Sequence, residues 1–241
     1  MTVGIIASVL VSLTIVEKSP AASEKAYPVA TTEEVSFTAV PAHMPNASSV
    51  IPIALPIIGN RIIIAISKRK VADIAWISDV TYFTCKKIQY FICVVIDLFA
   101  RKVIAYTIST GNSSRITKET LAKAYYDRKP KEGLLFHSDR GANYTSRSFS
   151  TFCKTLGITQ SLSRTATPYD NSVMEAFFKS LKAEELYRNN YRSEREFRER
   201  VQKYIDFYND KRPHQINRYR TPNATEEAYY KRHADDISKT I

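Results

Sequence analysis

Trp76-Ile77-Ser78-Asp79-Val80-Thr81-Tyr82-Phe83 reads as part of a strand running from Ile74 to Phe83, with an acid in its middle. Working outward, Tyr90 to Ile96 is a continuous apolar run suited to a buried strand, and Val103 to Ile108 is a third. The turn Asp97 to Lys102 makes the last two a hairpin. Ser114 to Tyr126 then reads as a helix, Leu134 to His137 as a short buried strand, Ser146 to Leu156 as a helix, Ile158 to Leu162 as a strand, and Ser172 to Tyr187 as a helix. Three strands followed by helix, strand, helix, strand, helix is an α/β order, with no internal repeat. A charged helix, Ser193 to Tyr208, closes the series.

This order predicts a ribonuclease-H-like mixed five-stranded sheet flanked by helices. Its second half carries two acids with 35 residues between them: Asp139, in His137-Ser138-Asp139-Arg140-Gly141, and Glu175, in Asp170-Asn171-Ser172-Val173-Met174-Glu175. With Asp79 they make three carboxylates on three elements: one inside a strand, one just past a strand's end, one in a helix's first turn. Hydrolysing or joining a phosphodiester requires an activated attacking oxygen, a stabilised leaving oxygen and neutralised charge, which two divalent ions about 4 Å apart supply together. Carboxylates are the hard oxygen donors that Mg²⁺ prefers. Each acid also has a plainer reading. Glu175 stands three residues after Ser172, the spacing of a capping box; Asp79 fits a half-exposed strand; Asp139 fits the start of a turn at Arg140-Gly141.

The chain is 241 residues long with a formal charge of +11, which points to an anionic partner, nucleic acid before a membrane surface. Residues 1–70 hold six Lys or Arg against four Asp or Glu, leaving 29 against 20 for the rest, so the basic character belongs to the second part. On the helix after Ser172, Lys179 and Lys182 follow Glu175 at i+4 and i+7 and share its face, while Val173, Met174, Phe177, Phe178 and Leu181 fall on another. The word Tyr208-Asn209-Asp210-Lys211-Arg212-Pro213-His214 mixes cations with aromatics, as a surface tracking a phosphate backbone does. Cys85, Cys93 and Cys153 form no CxxC pair and read as free thiols.

Residues 1–70 hold six of the ten prolines and no sustained period, which predicts a poorly ordered segment ending near Lys68-Arg69-Lys70. Val3 to Val16 is apolar, but no Lys or Arg precedes it and it is too short to span a bilayer, so a cytoplasmic protein is expected. The expected organisation is an atypical segment at 1–70, a catalytic core at 71–190 and a helical basic extension at 191–241.

From about Trp76 to Tyr229 the chain resembles the DDE transposases of bacterial insertion sequences, the second-frame type whose core is similar to retroviral integrase. The matching words are Trp76-Ile77-Ser78-Asp79-Val80-Thr81, Val95-Ile96-Asp97-Leu98-Phe99-Ala100-Arg101-Lys102, His137-Ser138-Asp139-Arg140-Gly141, Tyr144-Thr145-Ser146, Pro168-Tyr169-Asp170-Asn171, Glu175-Ala176-Phe177-Phe178-Lys179-Ser180-Leu181-Lys182, and Tyr208-Asn209 with Arg212-Pro213-His214. The resemblance implies that Asp79, Asp139 and Glu175 form a catalytic triad holding two Mg²⁺ or Mn²⁺ ions, and that Lys182 is the basic residue seven after the glutamate. Asp97 matches a further acid of the family outside that triad. Lys179, Lys182, Arg140, Asn171, Arg212 and His214 are the expected DNA contacts. The implied activity is hydrolysis at element ends followed by attack of the freed 3′-hydroxyl on another phosphodiester, without a covalent protein intermediate, in a homo-oligomer bound to DNA. The alternatives are an inactive DNA-binding remnant and a ribonuclease-H-like nuclease. The chain departs from the family's pattern at Ala166, where glycine is usual, at Asn143, where glutamine is usual, and at residues 1–70, which lack a helical basic DNA-binding region.

Overall fold

The computed structural model describes residues 71–163 and 171–238, with side chains through residue 234. The proline-rich front with its apolar stretch Val3 to Val16, and residues 164–170 with Ala166 and Pro168-Tyr169-Asp170, lie outside the described residues. Five strands form one sheet: β1 (Ala75–Cys85), β2 (Ile88–Asp97), β3 (Lys102–Ser109), β4 (Leu135–Ser138) and β5 (Thr159–Leu162). Their order is β3-β2-β1-β4-β5. β1–β2 and β2–β3 pair antiparallel, whereas β1–β4 and β4–β5 pair parallel. The mixed sheet expected from the element order is therefore present.

Helices cover both faces. One face of the sheet, through Ile77, Ile92, Val94 and Ile96, packs on α4 (Ser172–Leu181) and α5 (Glu194–Asp210). The other, through Trp76, Val95 and Phe136, packs on α1 (Ser114–Arg128), α2 (Ala142–Thr145) and α3 (Arg147–Thr155). α5 has a charged outer surface, but Phe197, Val201, Tyr204, Ile205 and Tyr208 are buried, the i, i+4, i+7, i+8, i+11 spacing of one apolar stripe. Its Phe197 ring lies 5.7 Å from Phe83 and 5.1 Å from Tyr90. The helix is thus part of the core that supports β1 and β2. All three cysteines are buried and unbridged, and no helix among the described residues is long and apolar enough to cross a membrane.

The end of α5 and the segment after it are tied to the β2–β3 hairpin by polar contacts. The Asn209 side-chain amide donates to the Val103 carbonyl at 2.9 Å and accepts from its N–H at 3.0 Å, doing for this edge strand what a neighbouring strand would do. Asn217 donates to the Ala100 carbonyl at 2.7 Å. α6 (Pro222–Ser238) supplies Glu226, buried, which pairs with Lys102 and Arg128, while Arg128 also grips Asp73.

The helix expected from Ser172 to Tyr187 is α-helical only to Leu181. Lys182–Leu186 form a π-helical turn, closed by the Tyr187 N–H donating to the Lys182 carbonyl at 2.9 Å. Within that turn Glu184 accepts from Tyr204 and from Arg212, so the widened backbone hands a carboxylate to the neighbouring helix. Such turns interrupt α-helices chiefly where a side chain must be re-aimed.

Candidate active site

β4 accompanies β1 only as far as the pair Ser78↔Ser138, so β1 outruns it. Asp79 is the first residue of β1 past that pairing and Asp139 the first residue past β4. Parallel neighbours lie about 4.8 Å apart, which sets the two acids side by side. This is also where the sheet's connectivity diverges, β1 leading to β2 and β3 on one side and β4 to β5 on the other. Open α/β sheets place their ligand crevices at the carboxyl ends of strands flanking such a point.

Asp79 is held from two directions. Its Oδ1 accepts the Val80 N–H at 2.7 Å and its Oδ2 accepts Asn171 Nδ2 at 2.8 Å. Burial pushes its carboxyl up to about 6, and the charges of Asp139 and Glu175 add to the rise while the two hydrogen bonds oppose it. Asp79 therefore feels the charges of both other acids, each on a different element. Like charges raise a carboxyl's pKa in this way, and a cation between them reverses the effect.

Asp139 accepts the Gly141 N–H on Oδ1 at 2.9 Å. The turn and the acid thus coexist: Asp139 starts the turn, and its second oxygen has no hydrogen bond among the described residues. Gly141 has ordinary extended backbone angles, but a Cβ there would stand 2.9 Å from Asp139 Oδ1. Glycine is needed at 141 to leave room for the carboxylate, a requirement that the turn residues alone do not reveal.

Glu175 lies in the first turn of α4 and is exposed, without a hydrogen bond or ion pair among the described residues. The capping-box reading does not hold, because Asn171, not Ser172, is the N-cap of α4, so Glu175 falls one position beyond the capping site. The apolar face reads as expected, with Met174, Phe177, Phe178 and Leu181 buried.

The donor set has the chemistry a hard divalent cation takes: three carboxylates and, beside Asp79, Asn171 Oδ1, a buried oxygen with no partner among the described residues. Among the described residues no three His, Cys, Asp or Glu side chains stand close enough together to hold a metal ion by themselves. That arrangement fits an ion that takes one or two carboxylates and fills its shell with water and substrate oxygens.

The expected DNA contacts divide into two groups. Lys179 is exposed one turn beyond Glu175, and Lys182 Nζ lies 5.7 Å from the centroid of the Tyr82 ring. Arg140 is exposed beside Asp139, its Nε donating to the Ser163 carbonyl at 2.7 Å. Asn171 faces Asp79. Arg212 and His214 lie behind this surface: Arg212 pairs with Glu184 and donates to Ser180 Oγ at 3.2 Å, and the His214 ring packs 4.8 Å from Tyr208, which in turn packs 4.9 Å from Phe177 on α4. Burial, then the charges of Arg212 and Arg101, depress the His214 pKa. Asn143 donates to Asn112. His137, beside Asp139 in sequence, is buried with its ring nitrogens 3.0 Å from Ser161 Oγ and 3.2 Å from Ser163 Oγ, tying β4 to β5.

Asp97 stands elsewhere. It ends β2 opposite Trp76, fully buried, with Oδ1 accepting the Phe99 N–H at 3.3 Å and Oδ2 unpartnered among the described residues. A groove of about 440 Å³ along β3, lined by Val103, Tyr106, Lys123, Asp127 and Gln202 among others, contains none of the three acids.

Two family models, both described as integrase core domain, match residues 72–168 and 156–222. A transposase for insertion sequence element IS904 of Lactococcus lactis is 32% identical over 164 residues, 68% of this chain and 63% of that protein. A putative transposase for insertion sequence element IS150 of Escherichia coli is 35% identical over 137 residues, 57% of this chain and 48% of that protein. The chain thus aligns with about half to three fifths of the length of these relatives. The catalytic core domain of BIV integrase superposes with a TM-score of 0.50 at 19% identity, covering 67% of this chain and 99% of that one. The sheet order, the matched models and these relatives lead to one assignment: this chain belongs to the integrase-core family, alongside the transposases of bacterial insertion sequences.

Proposed function

We propose that the chain catalyses hydrolysis and strand transfer of DNA phosphodiesters at the ends of an insertion sequence, using Asp79, Asp139 and Glu175 with two Mg²⁺ or Mn²⁺ ions. The observation that carries this reading is the placement of Asp79 and Asp139 side by side at the open end of the β1–β4 pair, where the charges of Asp139 and Glu175 both push the Asp79 carboxyl up. The metal supplies Lewis-acid activation of the attacking oxygen and neutralises charge on the phosphate. Asp79 and Asp139, side by side, offer the fixed ligands, and Asn171 orients the Asp79 carboxylate. Glu175, on a helix rather than the sheet, completes the set from the third side.

In the first step a water oxygen bonds to phosphorus and the 3′-oxygen leaves as a hydroxyl. In the second that hydroxyl attacks a phosphodiester of another strand, whose own 3′-oxygen is displaced. Lys179, Lys182 and Arg140 line the approach and balance phosphate charge. Arg212 and His214 act from behind, holding the end of α4 and the π-turn so that Glu175 and Lys182 keep their positions. DNA, as element ends and target, is the proposed partner, and a homo-oligomer joins two ends.

The test is a strand-transfer assay with duplexes taken from both flanks of the gene, in Mg²⁺ or Mn²⁺, beside Glu175→Gln. Joined products that disappear in the variant are expected. A folded chain that binds DNA but neither metal nor joins ends is a remnant, and preferential cleavage of RNA–DNA hybrids identifies a nuclease instead.

A further inference from the structure

Successive residues of a strand face opposite sides of its sheet, so Ser78 turns away from the face that carries Asp79 and joins Trp76 on the side packed by α1, α2 and α3. It is buried, and its Oγ lies 2.7 Å from the hydroxyl of Tyr144, buried on α2. Cys93 of β2 closes the group, its Sγ 3.7 Å from Ser78 Oγ and 3.8 Å from the Tyr144 hydroxyl. Packing alone would be served as well by phenylalanine at 144, since the ring rests 5.3 Å from Phe149 and 6.3 Å from Phe136. The hydroxyl is the addition, and a buried tyrosine hydroxyl needs a partner. Burial, ahead of other causes, raises the Tyr144 hydroxyl and the Cys93 thiol above their ordinary values, so both stay neutral and put no charge behind the acids.

Ser78 and Ser138 form the last pair between β1 and β4, and past it the ladder no longer sets the distance from Asp79 to Asp139. The chain beyond Asp139 returns to β1 through Tyr144. From there hydrogen bonds run without a break to the second acid: the Tyr144 N–H donates to the Gly141 carbonyl at 3.0 Å, and the Gly141 N–H donates to Asp139 Oδ1 at 2.9 Å. The Tyr144 carbonyl accepts Gln160 Nε2 of β5 at 2.7 Å, so α2 is tied to β1 and β5 at once. We propose that Tyr144 and Ser78 are positioning residues, whose buried hydroxyl pair on the reverse face of β1 sets the spacing of the Asp79 and Asp139 carboxylates. They act through the Gly141 turn and the β1 backbone. The inference rests on the metal-dependent reading above and adds what holds its two sheet ligands in register.

The test compares the full chain with Tyr144→Phe, Ser78→Ala and the two combined. Groups that orient metal ligands from behind govern affinity about 10- to 100-fold, so calorimetry with Mn²⁺ is expected to show about tenfold weaker binding in each single variant. The double variant is expected to lose no more, because one bond is broken in all three. Strand joining should fall at limiting Mn²⁺ and recover to within about twofold of the parent at saturating Mn²⁺, since the acids themselves are intact. In the metal-free chain, exchange of the Gly141 amide should quicken about tenfold while the amides of β2 keep their rates, a local change that a general loss of packing does not produce. Variants that melt lower but bind Mn²⁺ and protect Gly141 like the parent assign the pair to stability alone and overturn the proposal, leaving strand transfer standing. Single losses that multiply in the double variant also overturn it. A parent chain that binds no Mn²⁺ removes both readings.

Discussion

Asp97→Asn separates a buried charge from the shape that carries it. In the native chain this carboxyl is pushed up to about 7, first by burial and then by the charge of Asp73, against the pull of the Phe99 N–H and of Arg128. Its ordinary value is 3.8, so the rise is about 3 units, worth at most about 4 kcal/mol at about 1.4 kcal/mol per unit. Because the folded-state value is raised, the native state keeps a proton that the unfolded chain releases above pH 4. Stability is therefore lost as pH rises from about 4 to about 7, and the whole penalty is present above that. Asparagine keeps the Oδ1 acceptor for Phe99 and abolishes the charge, while placing an unpartnered N–H where Oδ2 stood, at a cost of about 1–2 kcal/mol. The net expectation is a gain of about 2 kcal/mol at pH 8, shrinking to nothing or to a small loss at pH 4. Urea unfolding of both chains at pH 4, 6 and 8 in EDTA measures it, with unchanged m-values as the check on mechanism. A variant destabilised by the same amount at every pH refutes the reasoning, as does one that loses strand joining while remaining folded.

Three further outcomes follow from the geometry. Gly141→Ala should leave Tm within about 3 °C, because its backbone angles suit alanine, yet cut the rate of strand joining about 100-fold by displacing the Asp139 carboxylate; a parental rate shows that Asp139 is not held as described. Asn209→Ala strips both hydrogen bonds from the Val103 backbone and should cost about 2–4 kcal/mol in urea unfolding, with a loss under about 1 kcal/mol counting against that amide as the edge's partner. Metal affinity measured by calorimetry should weaken about tenfold from pH 7.5 to pH 5, since an Asp79 carboxyl near 6 is mostly protonated at the lower pH and must shed its proton to bind; affinity independent of pH contradicts its role as a ligand.

The sheet was legible because its strands obey simple patterns. β2 is apolar on both faces and sits between two partners; β4 and β5 are short runs bounded by polar turns. Those readings match the observed spans to within two or three residues. The left-handed Lys86–Lys87 turn between β1 and β2 was not legible, since neither residue is one that left-handed turns favour, and only the pairing of the flanking strands forces it. α5 looked like a solvated helix because charges outnumber apolar residues along it, although its apolar stripe at 197, 201, 204, 205 and 208 is regular. Arg212 and His214 sat in a word rich in cations and aromatics, which fits a nucleic-acid surface as well as a packed turn; only the contacts to Glu184, Ser180 and Tyr208 distinguish the two. α6 falls within the helical extension expected at 191–241 but its bounds were not legible, because its periodicity is weak and it is anchored by the buried Glu226 pairs. The positions of the three acids within their elements were legible; their mutual approach was not, since it depends on where β4 stops alongside β1.

The most direct test of the central claim compares strand-joining rates of the parent chain with Asp79→Asn, Asp139→Asn, Glu175→Gln and all three together, with Asp97→Asn as the control, each checked for an intact melt. Three acids serving one reaction centre predict that any single substitution abolishes nearly all activity, that combining them costs little more, and that Asp97→Asn joins DNA at the parental rate. Losses that multiply independently, or a dead Asp97→Asn beside an active Asp79→Asn, contradict the assignment.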